Sequence, residues 1–304
     1  MNNKVIAIIV TYNRKELLKQ VLIAVKGQSY PLEKIIIVDN NSSDGTYDYI
    51  SELLSDVVLY ENTGGNLGGA GGFHFGFKCA EKYEYDYLWL MDDDFSPTEY
   101  CLEHLLDGNP QGITQPLRFN LDETCAELSP LSYNLSNPFV LNPKGIPVKD
   151  YLESNKNNEE QLLEIETVPF EGPLIPKSVI DVIGFPEPRF FIFGDDTDYS
   201  IRAKRKGFAI QCNLKAKAYR LLVNNQKNDL LSWKGYFMLR NLFYLHKKYG
   251  LNFCVRNKPF ILAVGYTVTC LLKGQFSQSK IIWRAFWDSA TLSNSELFKP
   301  GARK

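Results

Sequence analysis

Apolar residues in the first third of the chain come in short unbroken runs, each cut off sharply by polar residues. KVIAIIVTYNR, Lys4 to Arg14, opens with a β-branched run of the kind that forms a parallel strand buried on both faces. From Lys15 to Lys26 the spacing changes, and Leu17, Leu18, Val21, Leu22 and Val25 recur with helical period. The alternation then repeats. Lys34 to Val38 predicts a second strand closed by a turn rich in Asp, Asn, Ser and Gly. Tyr47 to Leu54 predicts a helix and Val57 to Tyr60 a third strand. Beyond the glycines of Gly64 to Gly72, Phe73 to Tyr83 predicts a helix and Tyr87 to Met91 a fourth strand. This rhythm predicts an α/β fold, a Rossmann-like, mostly parallel sheet flanked by helices. In such sheets ligands bind beyond the carboxyl ends of the strands, where each of these polar loops falls.

The fourth strand runs into three consecutive acids, Asp92, Asp93 and Asp94, before a Ser-Pro turn. Along an extended chain Asp92 and Asp94 share one face and Asp93 takes the other. Paired carboxylates suit a hard divalent cation, Mg2+ or Mn2+, which relieves their repulsion. The triplet equally fits a solvated acidic loop after a core strand. The glycines of NTGGNLGGAGGF match neither Gly-x-Gly-x-x-Gly nor a P-loop, so neither a dinucleotide cofactor nor ATP hydrolysis is supported. They either let a helix pack close to a strand or leave bare backbone for a sugar or phosphate to approach. A later apolar run, Phe190 to Phe193, again ends in acids, Asp195, Asp196 and Asp198, before a helix over Tyr199 to Gly207. Those acids read either as helix caps or as the source of a general base. Two acid-tipped strands on one edge would let one cluster hold a metal and the other take a proton.

Composition narrows the picture. At 304 residues, 44% hydrophobic and 23% charged, the chain has the balance of a globular protein of one large domain or two. A formal net charge of −1 argues against a generic nucleic-acid binder. Six cysteines without a Cys-x-x-Cys pair suggest neither a zinc framework nor a secreted disulfide scaffold, and point to a reducing cytoplasm. The apolar run Val5 to Val10 is too short for a signal peptide, and no stretch supplies the ~20 apolar residues of a membrane span. The most polar stretch, Tyr151 to Glu164, reads as a surface insertion.

VTYNR at the first strand end, VDNNSSDGT at the second, NLGGAGGF before MDDD, and the late FGDDTDYSIRAKRKGF fall in a recognisable order. SWKGYFMLRNLFYLH, Ser232 to His246, adds an aromatic, Arg-Asn helix. With these motifs the sequence resembles the GT-A-fold inverting glycosyltransferases of family 2 over roughly residues 4 to 250. NLGGAGGF with MDDD, and EGPLIPKSVIDVIGFPEPRFFIFGDD, look most like the bacterial galactofuranosyltransferases. Rhamnosyltransferases share much of the pattern.

The resemblance implies a metal-dependent enzyme of cell-surface polysaccharide synthesis. It would transfer galactofuranose from UDP-galactofuranose to a glycan or lipid-linked acceptor, with dTDP-rhamnose as the competing donor. A nucleotide-sugar-binding protein without turnover is the remaining alternative. By resemblance Thr11, Asn13, Arg14 and Asp39 line the nucleotide pocket, and Asn66, Gly68, Gly69 and Asp93 lie near the donor. Asp92 and Asp94 hold the metal, Mn2+ or Mg2+. Asp196 is the base that deprotonates the acceptor hydroxyl, Asp195 orients it, and Phe170 and Glu171 contact the acceptor. A single in-line displacement inverts the anomeric centre, so one base is enough and no protein nucleophile is needed.

One departure stands out. Related enzymes often place a histidine metal ligand downstream of the base, and Asn213 to Gln226 contains none. Of the histidines available, His74, His104 and His246, His74 could reach the donor and His246 could substitute; otherwise the metal is held by fewer protein ligands and more water, or metal dependence is weak. The chain divides into a catalytic domain over 1–230, with a nucleotide-sugar half to about 95 and an acceptor half from 96, and a helical region over 231–304. In that last region Phe260 to Leu272 is apolar, and Lys273, Lys280 and Arg284 interleave with Trp283, Phe286 and Trp287. This mixture suits a helix on the inner membrane face, or a helical core or homo-oligomer contact.

Overall fold

A computed structural model describes residues 3–156, 160–222, 233–295 and 298. The chain runs β1 (Val5–Thr11), α1 (Lys15–Lys26), β2 (Lys34–Asp39), α2 (Thr46–Ser51), β3 (Val58–Asn62), α3 (Gly68–Ala80) and β4 (Tyr87–Asp92). It continues through β5 (Phe95–Pro97), α4 (Cys101–Leu106), β6 (Ile113–Asn120), α5 (Val148–Ser154), β7 (Leu162–Glu164), β8 (Leu174–Pro176) and α6 (Lys177–Ile183). Then come α7 (Asp195–Arg205), β9 (Ile210–Arg220) and three long helices, α8 (Trp233–Tyr249), α9 (Phe253–Leu272) and α10 (Phe276–Asp288).

All nine strands form one sheet in the order β3-β2-β1-β4-β8-β6-β9-β5, with β7 pairing β9. β3, β2, β1 and β4 are mutually parallel, as expected. Past β4 the sheet is mixed, because β8 runs antiparallel to both β4 and β6 while β6 and β9 are parallel. Along β1, Ile6, Ile8 and Val10 pack toward Phe73 and Phe77 of α3. Val5, Ala7 and Ile9 pack toward Leu18, Val21, Leu22 and Val25 of α1 on the opposite face. Each buried aliphatic side chain is worth about 1.5–3 kcal/mol. Burial on both faces is why these strands read as unbroken runs.

Two expectations change. Phe190–Phe193 forms no strand: Pro188–Phe190 is a 3-10 turn, and Phe191 and Phe193 adopt positive φ of 64° and 62°. The acids therefore start α7 directly, after Gly194 in the left-handed region. The stretch Tyr151 to Glu164 is not a mere insertion, since its last three residues add β7 to β9. The domain boundary expected at 230 and 231, with Ser232, lies outside the described residues. α8 packs beneath the Phe190–Gly194 loop, and the partner clusters mix Phe191 with Phe237, and Phe190 with Leu245.

Candidate active site

The ends of β1, β2 and β4 meet at Asp93. Its Oδ2 accepts from Thr11 Oγ1 at 2.8 Å and from the Tyr12 amide at 3.3 Å, and its Oδ1 accepts from Arg14 Nη1 at 3.0 Å. Arg14 also reaches Asp94 Oδ2 at 3.6 Å with its side chain half exposed, so a donor fork lies at the lip of the site. Asn13, at φ 53°, ties the β1 loop to the β2 loop: its amide donates to Ser42 Oγ and its Oδ1 accepts from the Ser43 amide, both at 2.8 Å. Asp39 is fully buried and already engaged by Ser42 and by the Tyr60 hydroxyl at 2.7 Å. Burial and that carboxylate push Tyr60 up to about 12. Asp39 thus holds the turn that follows β2.

Asp92 and Asp94 repel. Burial pushes Asp92 well above the usual carboxylate range, with Asp94 and Glu171 adding to it. Asp94 is pushed up to about 6 by burial and then by Glu171 and Asp93, against the pull of Arg14. Asp93 rises less, because Arg14 and Thr11 stabilise its charge. Asp93 is bonded separately from Asp92 and Asp94, but the extended alternation expected over the triplet does not hold: β4 ends at Asp92, and Asp93 and Asp94 turn the chain into β5. Glu171 stands beside the pair with arginines behind it. Arg118 donates to Glu171 and holds Glu127 through two bonds of 2.8 and 2.9 Å, while Arg220 Nη2 donates to Glu171 Oε1 at 3.2 Å. The preceding Phe170 is 4% exposed, with its ring edge on Phe73 and Tyr199, so it belongs to the core rather than to an acceptor surface.

The packing reading of the glycine stretch holds at Gly72 and Gly76. A Cβ at Gly72 would lie 2.6 Å from Val10 Cγ1, and one at Gly76 2.5 Å from Ile8 Cγ2, which leaves α3 no room to carry side chains there. Gly64, Gly65 and Gly69 face open space. Gly68, at φ +72°, meets the Phe191 carbonyl, and Asn66 Oδ1 accepts from its amide at 2.9 Å. Asn40, which the motifs did not single out, closes the loop from β2 by donating to the Gly68 carbonyl at 3.1 Å.

The late acids sit at the N-terminus of α7. Asp195 is buried, and burial and then Asp196 drive it well up. Asp196 is also raised by burial, opposed by Lys144 and by the Thr197 amide, with Glu171 adding repulsion. Glu171 therefore feels both acid motifs, and the two clusters share one field. Lys144 arrives on an arm whose strands bridge Tyr133 to Lys144, and Tyr133 is likewise raised by burial and by Asp196. Asp198 differs: fully buried, it accepts from Arg202 at 2.8 Å, Lys248 at 3.0 Å and the Tyr249 hydroxyl at 2.6 Å, fastening α7 to α8.

Hard oxygen ligands under mutual repulsion fit a divalent cation, and Asp92 and Asp94 offer such a pair. Among the described residues no group of three His, Cys, Asp or Glu side chains is assembled for a metal, so these two would hold it with non-protein oxygens. His74 bonds the Pro186 carbonyl at 2.8 Å, His104 faces Asp107, and His246 is buried against the Leu242 carbonyl with its basicity lowered by burial.

Residues 6–108 match the family model described as Glycosyl transferase family 2. The galactofuranosyltransferase GlfT1 of Mycolicibacterium smegmatis is 28% identical over 272 residues, covering 81% of this chain and 84% of the relative. GlfT1 of Mycobacterium tuberculosis is 30% identical over 218 residues, 68% of this chain and 66% of the relative. In fold, the crystal structure of GalNAc-T7 with UDP, GalNAc and Mn2+ superposes with a TM-score of 0.57 at 11% identity. That match covers 88% of this chain and 57% of the GalNAc-T7 chain.

Proposed function

Because this chain belongs to glycosyltransferase family 2, we propose that it is a metal-dependent inverting enzyme transferring galactofuranose from UDP-galactofuranose to a glycan or lipid-linked acceptor. The observation that carries this reading is the convergence of Asp92 and Asp94 with Asp196 around Glu171. Asp92 and Asp94 would hold the cation, which when bound would supply Lewis-acid stabilisation to a departing diphosphate. Arg14 turns its exposed fork from Asp93 and Asp94 toward the same phosphates. Thr11, Asn13 and Asp39 shape the nucleotide pocket, and Gly69 presents bare backbone to the sugar on a loop that Asn66 and Gly68 hold in place. Asp196 takes the proton of the incoming hydroxyl, and its raised basicity suits that task. Asp195 and Glu171 set its field, and Glu171 lies where the acceptor enters.

The donor assignment rests on the mycobacterial relatives. Calorimetry with UDP and with dTDP, each with Mn2+ and again with EDTA, tests it. UDP binding that requires the metal is expected. A preference for dTDP moves the donor to dTDP-rhamnose on the same residues, and binding of neither removes the enzyme assignment.

We further propose that α9 and α10 lie on an anionic bilayer at its cytoplasmic face. Phe260, Ile261, Val264, Val268, Leu271 and Leu272 form an exposed apolar stripe along α9. No Asp or Glu occurs between Leu251 and Trp287, whereas Arg256, Lys273, Lys280 and Arg284 are exposed there. Among the described residues no helix is long and apolar enough to cross a membrane, so the contact would be peripheral.

A further inference from the structure

The loop that delivers Asp195 and Asp196 does not hold its own shape. Phe191 and Phe193 both occupy the left-handed region, a strain that neighbouring structure must offset. The neighbour is α8. Asn241, 2% exposed, aims its amide nitrogen at the carbonyls of Phe193 at 2.6 Å, Ile192 at 2.7 Å and Phe190 at 3.2 Å. Arg240, fully buried, holds Asn241 Oδ1 through Nε and Nη2 at 2.9 and 2.7 Å. The guanidinium also donates to the carbonyls of Arg189 and Phe190 at 2.9 and 2.8 Å, to the Ser293 carbonyl at 3.0 Å and to Asn294 Oδ1. A planar fork of five fixed donors suits a loop that offers a cluster of carbonyls.

The same loop grips the other half of the site. The Phe191 carbonyl accepts from the Ala70 amide at 3.1 Å in the first turn of α3, and a Cβ at Gly68 would sit 2.1 Å from that oxygen. The Phe191 ring stacks on Phe237 of α8 with centroids 4.9 Å apart. One carbonyl thus joins the glycine loop to the base loop, and the Arg240–Asn241 pair fixes both.

We propose that Arg240 and Asn241 are positioning residues, setting the distance between the donor-side glycine loop and Asp196 without touching substrate. This rests on the assignment of Asp196 as the base. The test compares the full-length protein with Asn241→Leu, which keeps the volume and removes the donors, and with Phe243→Leu, a packing control on the same helix facing Phe286. In Asn241→Leu, kcat should fall about tenfold to a hundredfold while donor KM and UDP affinity change less than about twofold, since small displacements cost rate rather than binding. Hydrogen exchange should accelerate about tenfold in peptides covering 188–199 and, together with them, 64–72. Phe243→Leu should show neither effect at a comparable loss of melting temperature. Unchanged kcat and exchange in Asn241→Leu, exchange at 188–199 uncoupled from 64–72, or equal losses in the control would each overturn the proposal. Absence of turnover in the wild type with every donor would count against the proposed function alone, because exchange reads the loop without chemistry.

Discussion

Asp196 and Asp94 are both carboxylates pushed upward by burial, yet their neighbours suit them to opposite tasks. Asp196 faces Lys144 and keeps part of its surface open, so it can meet a hydroxyl and lose its proton to solvent afterwards. Asp196→Asn should lower transfer about 10²–10⁴-fold with UDP affinity unchanged. Ordinary turnover would remove it from that role. Only the ionised form accepts a proton, and the folded value is raised above the ordinary 3.8. Activity should therefore fall as pH drops through a value above 3.8, and a limb at or below it would contradict the assignment. Asp94 is pushed up to about 6 by burial and then by the acids around it, so it is mostly charged at neutral pH but at a cost that a nearby cation would relieve. Asp94→Asn should raise the melting temperature of the metal-free protein, by about 2–4 °C for each kcal/mol of repulsion relieved. It should also abolish the rise that Mn2+ gives the wild type, which scanning calorimetry with and without EDTA would show.

At the scale of elements, α3 separates packing from access along one helix. Gly72→Ala or Gly76→Ala pushes a methyl into Val10 or Ile8 and should cost about 1–3 kcal/mol in chemical denaturation. Gly69→Ala meets nothing, so it should leave stability unchanged or slightly improved and weaken UDP binding instead. Equal behaviour of the three would mean the open glycines have no ligand to admit. The strands were legible because double-sided burial writes itself as Val and Ile runs. The triplet of acids was legible as the polar end of a buried strand, but the turn made by Asp93 and Asp94 was not, because three like residues carry no signal of where the strand stops. The loop over Phe190–Gly194 was not, since its left-handed turns are imposed by an amide on α8, far along the chain. Arg118 and Arg220 were equally hidden. A buried arginine in a strand declares no partner until the fold sets Glu127 and Glu171 beside it.

For the whole molecule, α8 ties the last helices to the loop that carries Asp195 and Asp196. If the α9 stripe meets lipid, the protein should sediment with phosphatidylglycerol vesicles and not with neutral ones, and release with rising salt. Ile261→Asp with Leu272→Asp should abolish sedimentation and leave UDP affinity intact. Equal binding to neutral vesicles would point to a partner other than an anionic surface. The grip of α8 on the base loop also bears on how such enzymes can change through descent. The motifs that bind donor and base all precede residue 223, so the tail looks like a part that recombination could exchange freely. A tail from a relative, however, would bring its own spacing of arginine and amide to carbonyls it did not evolve with. The two pieces are therefore bound to be inherited together, and novelty in acceptor or membrane would have to accumulate on the outward faces of α9 and α10, leaving the inward face of α8 as the fixed point of the lineage.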